Sequence, residues 1–172
     1  MRLLQGTPEE IAAFLKLMGE ETEPFEEAVA GAAADAAAEP TTWAGIEALV
    51  RGRARTEEIA ERVLAYLKGV LEIGGVEIEA GTSERTRDGL SNYVMVRDAG
   101  KRRYGAVAYV NAINAGLTLR LTPHDVADTD DPRIELRDVK DGHKYAVNCP
   151  LRDEETIDLA LQLTRRALAK VR

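Results

Sequence analysis

The sequence predicts an α+β domain, with N-terminal helices, a mostly antiparallel sheet of about five strands and a C-terminal helix packed on the sheet. Three observations predict it. The densest run of β-branched and aromatic residues lies between Tyr93 and Leu121 and is cut by turn sequences, as adjacent antiparallel strands would be. Residues 56–73 instead repeat their apolar side chains with helical spacing, Ile59, Val63, Leu67 and Val70, flanked by Leu64 and Leu71. A second such stripe, Ile157, Ala160, Leu161, Leu168 and Val171, closes the chain after the sheet-forming region rather than alternating with it.

In order, Arg2–Gln5 reads as a short strand or a lead-in. Gly6-Thr-Pro-Glu-Glu10 then opens a helix, with Thr7 as cap and Pro8 in the first turn, and Ile11, Phe14, Leu15 and Met18 form its core stripe. Residues 20–39 are acidic and alanine-rich and fit either a helix or a linker, so the chain divides into an acidic segment, 1–39, and a domain, 40–172. Thr41 or Thr42 caps a short helix through Trp43, Ile46, Leu49 and Val50, with Gly52 as its stop. Arg51-Gly-Arg-Ala-Arg55 is a basic turn before the helix that Thr56 caps and Gly74-Gly75 ends. A helix-turn-helix reading of this pair is disfavoured, because Glu57 and Glu58 stand where a recognition helix would meet bases.

Val76–Glu79 alternates as an edge strand, and Gly81–Asn92 is a polar loop. Tyr93–Arg97, a turn at Asp98-Ala-Gly-Lys101 and Arg102–Val110 form a hairpin with apolar residues on both faces, as in strands covered on two sides. Leu117–Leu121 is half-buried by its alternation. Ile134 and Leu136 suggest a further strand, and His143–Cys149 another, with Tyr145 and Val147 on one face. Asp153 caps the last helix, and Arg165, Arg166, Lys170 and Arg172 complement its C-terminal dipole.

Formal net charge is −7, yet residues 1–50 carry two basic against ten acidic residues and the rest is near balance. That asymmetry argues against indiscriminate nucleic-acid binding by the whole chain while leaving local basic patches open. No apolar run approaches the ~20 residues a membrane span needs, and no secretory signal is recognisable. With Cys149 alone, a reducing, cytoplasmic setting is expected, and the thiol reads as a small buried hydrophobe rather than a nucleophile.

No phosphate loop, dinucleotide fingerprint, nucleophile elbow or paired-cysteine zinc spacing occurs, and no cofactor is expected. The principal surface candidate is basic: Arg85, Arg87, Arg97, Lys101, Arg102 and Arg103, interleaved with Tyr93 and Tyr104, with Tyr109 nearby. Guanidiniums and aromatic rings together suit nucleic acid or an acidic protein, and a solvated hairpin tip guarding a sheet edge is the plain alternative. The reading is therefore an interaction module binding a protein or nucleic-acid partner through Arg97–Tyr104, with self-association also open. Two other readings compete. One is a metal-dependent or acid–base hydrolase using His124, His143, Asp125, Asp128, Asp130 and Asp131, although the calcium-loop spacing and its glycine are missing. The other is an acidic arm, residues 1–50, that mimics nucleic acid.

From about Glu58 to Arg172 the layout resembles the C-terminal domain of proteins labelled "predicted transport protein". The resemblance is carried by the helix before the sheet, Lys101-Arg-Arg-Tyr104 leading a hydrophobic strand, Leu117-Thr-Leu-Arg-Leu121, Arg137-Asp-Val-Lys-Asp-Gly-His143 and the helix through Leu161-Gln-Leu-Thr-Arg-Arg-Ala167. It implies a small α+β module that is often attached to other domains, sometimes in bacterial DNA-defence contexts, and it implies no catalytic residues; the interaction module is expected to be a bacterial or phage protein.

Overall fold

A computed structural model describes residues 41–101, 105–140 and 142–172. The expectations for residues 1–39, and those for Arg102, Arg103, Tyr104 and Asp141, lie outside the described residues. Helix α1 (Trp43–Arg53) is capped by Thr42, whose hydroxyl accepts from the Gly45 N–H at 3.2 Å. Gly52 does not stop it, because Ala54 is the residue that leaves helical geometry. Helix α2 (Glu57–Ile73) starts at Thr56, as its cap sequence predicts, and ends at Gly74, whose φ of 79° suits a residue without Cβ. Helix α3 (Glu154–Val171) is capped by Asp153, which accepts from the Thr156 N–H at 2.8 Å.

The strands are β1 (Val76–Thr82), β2 (Leu90–Asp98), β3 (Ala106–Asn111), β4 (Gly116–Leu119), β5 (Glu135–Leu136) and β6 (Val147–Asn148). They form a six-stranded sheet in the order β1-β2-β3-β4-β6-β5, with every pairing antiparallel, one strand more than the sequence suggests. A single-turn 3-10 helix, Pro123–Val126, follows β4.

Register sorts the side chains by face. Ala80, Val94, Val110 and Leu117 stand opposite one another, as do Ile78, Val96, Ala108, Leu119 and Val147 one row further along. All but the half-buried Ile78 are closed to solvent, and together with Val50, Val63, Leu67, Leu163 and Leu168 they form one core beneath the three helices. The Tyr66 hydroxyl meets Thr164 Oγ1 at 2.7 Å, and Thr164 donates to the Ala160 carbonyl, so the polar atoms where α2 meets α3 are satisfied.

The opposite face differs from the two-sided cover the hairpin predicts. Glu79, Met95, Tyr109, Thr118, Asn148 and Glu135 form a row across all six strands, with Tyr93 and Asn111 beside it. None of the described helices packs on this face, and its members are half-buried or exposed. Tyr145 does not share a face with Val147. The strand begins only at Val147, so alternation does not reach Tyr145, whose ring instead meets Tyr109 edge-on at 5.3 Å while its hydroxyl donates to the Ala106 carbonyl.

Candidate functional site

The predicted basic patch is divided by the sheet. Arg85 and Arg87 lie in the β1–β2 loop and Lys101 in the β2–β3 turn, at opposite ends of a nine-residue strand spanning roughly 27 Å. Arg97 lies between them on the helix-free face and pairs with Glu79 at 2.7 Å, so its charge is locally balanced. Tyr93 is 45% exposed on the same face.

At the hairpin end, Asp98 organises the turn. Its carboxylate accepts from the Gly100 N–H at 2.8 Å and from Arg172 Nε at 2.9 Å, and these two donors hold it below the usual carboxylate range. Arg172 also donates to the Gly74 and Gly75 carbonyls. Lys101 lines the hollow around these groups and is exposed.

At the other end the tertiary structure assembles what the sequence keeps apart. Arg53 donates to both Asp88 carboxylate oxygens, at 2.7 and 2.6 Å, and reaches the Leu90 carbonyl at 3.4 Å. The Arg55 N–H donates to the Ile113 carbonyl in the β3–β4 turn. The basic turn 51–55 thus meets the loop carrying Arg85 and Arg87. Within that loop the Ser83 N–H bonds the Gly89 carbonyl, Thr86 donates to the Ser83 and Leu90 carbonyls, and Asp88 accepts from the Leu90 N–H. Bonds this local turn Arg85 and Arg87 outward, where both are exposed. Arg51 is spent on Glu47, Glu57 and Glu61, and Arg53 on Asp88. Arg55, Arg85 and Arg87 have no ion pair among the described residues.

Beside this corner the helix-free face holds a cleft of about 170 Å³, lined by Tyr93, Asn111, Asn114, Gly116, Leu117, Thr118, Asn148 and Pro150. Sequence reasoning found only Tyr93 of these. Asn111-Ala-Ile-Asn114 before Gly116 was the available signal, since asparagines spaced around a tight turn hydrogen-bond their own backbone two residues on. Ala115, in that turn, has φ of 56°, a conformation costing a non-glycine residue about 1–2 kcal/mol.

The hydrolase constellation is not assembled as one site. Lys170 and Thr122 engage Asp125, Arg166 engages Asp128, and Arg133 engages Asp131. His124 is exposed in the 3-10 helix, while His143 Nδ1 accepts from the Tyr145 N–H at 3.2 Å. No group of three or more metal-ligating side chains occurs among the described residues. Cys149 is fully buried, and burial pushes its thiol up to about 11. No helix among the described residues is long and apolar enough to cross a membrane.

Fold and surface together define an α+β domain whose described helices lie on one face of its sheet, with polar and aromatic residues on the other. No family model matches the chain, and neither a curated protein nor a solved structure matches it.

Proposed function

We propose that this domain is an interaction module that binds single-stranded nucleic acid along the helix-free face of its sheet. The observation that carries the reading is the meeting of two basic segments, 51–55 and 85–87, through Arg53 and Asp88 beside the exposed ring of Tyr93. Arginines without acidic partners attract phosphates, and an exposed aromatic ring offers any base a stacking surface. Arg97 and Tyr109 extend the same face toward the hairpin, with Lys101 at its tip. The excess of negative charge lies in the first 50 positions, which carry two basic against ten acidic residues, so the overall charge of −7 is not the charge of this corner.

Fluorescence anisotropy of labelled 12-nucleotide single strands and of a duplex, across a salt series, tests the reading. The single strand binds more tightly, and Arg85→Gln with Arg87→Gln lowers the slope of log affinity against log salt by about 1.4. Tyr93→Ala weakens binding by ~1–3 kcal/mol without changing that slope. Absence of single-strand binding at low salt overturns the proposal.

A further inference from the structure

The cleft beside the arginine corner is lined by hydrogen-bond donors, and this follows from how three asparagines are anchored. Asn111 Oδ1 accepts from the Ile113 N–H at 2.9 Å, and Asn114 Oδ1 accepts from the Gly116 N–H at 3.0 Å. A backbone N–H can only donate, so each bond fixes the amide with its oxygen turned into the β3–β4 turn and its NH₂ turned away. Asn148 Oδ1 accepts from the Thr118 hydroxyl at 2.9 Å, across the β4–β6 pairing. Every amide oxygen in the cleft thereby accepts one bond from the protein, while none of the three NH₂ groups has an acceptor among the described residues.

The surroundings favour a flat ligand at this point. Tyr93, whose backbone lies opposite Asn111 in the β2–β3 register, supplies one wall with its exposed ring. The turn is held in place by the Leu151 N–H, which donates to the carbonyl of Ala115 at 2.9 Å. Strain retained beside a cleft is a mark of pre-organisation.

Resting on the nucleic-acid reading above, we infer that this cleft is a base pocket that selects for hydrogen-bond acceptors, and that Asn111, Asn114 and Asn148 are its specificity-determining residues. A thymine or uracil presents two carbonyl oxygens to such donors. Adenine keeps ring-nitrogen acceptors but places an exocyclic NH₂ where thymine has its O4, and there it would face an asparagine NH₂ donor against donor. The pocket therefore prefers oligo-thymidine to oligo-adenosine, with the phosphates running toward Arg55, Arg85 and Arg87.

The test compares dT12 and dA12 by anisotropy for the wild type and for the Asn111→Asp/Asn114→Asp variant. Aspartate keeps the oxygen that each turn N–H requires and replaces the NH₂ with an acceptor. Its added charge weakens both strands alike, so the ratio of the two affinities is the readout. The wild type is expected to favour dT12 by about fivefold or more, on the order of one hydrogen bond, and the variant to bring the ratio near unity. In parallel, thymidine monophosphate is titrated into the protein while the side-chain NH₂ resonances of Asn111, Asn114 and Asn148 are followed by NMR. Strand binding without a thymidine preference, or a preference that survives in the variant, overturns the base pocket and leaves the nucleic-acid reading standing. No strand binding, with the three NH₂ resonances shifting on titration, does the reverse. Silence in both experiments removes both.

Discussion

Asp125 shows how one carboxylate carries more than its position in an acidic loop suggests. Burial pushes its carboxyl up, but the Lys170 ammonium and the Thr122 N–H and hydroxyl outweigh that and hold it at about 2. A carboxyl depressed in the folded state stabilises the fold fully above its unfolded value near 3.8, and the contribution disappears as pH falls toward 2. Asp125→Asn is therefore expected to cost on the order of 1 kcal/mol at pH 7, once solvent screening is counted, and to flatten the loss of stability between about pH 4 and 2. Urea unfolding at pH 7, 4 and 2.5 checks this. An unchanged pH slope in the variant would show that Lys170 and Asp125 are not coupled in solution. At the same scale, the residues of the proposed site were only partly legible. Arginines and tyrosines announce themselves by type, whereas the roles of Asn111, Asn114 and Asn148 depend on which amide oxygens the turn and Thr118 consume.

Among the elements, helices were read most closely. Thr42, Thr56 and Asp153 cap the three described helices because a side-chain oxygen satisfies a free N–H, a bond made within a few residues and so written locally. Helix contacts are not local. A Cβ on Gly69 of α2 would lie 2.7 Å from Leu161 Cδ1 of α3, so the two helices approach over a missing side chain. In an isolated helix Gly→Ala gains about 1 kcal/mol. Here Gly69→Ala is expected to gain less, and Gly69→Val to destabilise by about 1–3 kcal/mol through overpacking. Chemical denaturation of both variants decides it, and a full gain in the alanine variant would show that the helices are not in close contact. The short strands β5 and β6 were the hardest to delimit, because two paired residues leave no alternation to read and Tyr145 lies outside the ladder.

Across the whole molecule, Arg172 and Asp98 tie the end of α3 to the α2–β1 connection and the β2–β3 turn. Asp98 is almost closed to solvent, and Arg172 divides its donors between that carboxylate and the Gly74 and Gly75 carbonyls. Asp98→Asn and Arg172→Ala should each lower the melting temperature. The double variant should lose less than the sum of the two, because each single change already breaks the shared bond. Strict additivity in that cycle would show that the pair does not act as a clamp.

The sequence by itself determined the α+β class, the caps and order of the described helices and the alternation of β4, since all depend on interactions within a few residues or on a simple period. It also singled out Arg85, Arg87, Arg97 and Lys101 as candidates, while the turn carrying Arg53 and Arg55 was read only as a connection between helices. Only the tertiary structure decided how those charges are distributed: antiparallel β2 carries Arg87 and Lys101 to opposite ends, while Arg53 and Asp88, 35 positions apart, bring two basic segments together. The physical reason is that a strand separates its ends by its length, whereas an ion pair closes any loop the core has already closed. Which face of the sheet the described helices leave open was settled the same way, because an apolar side chain signals burial without naming what will cover it.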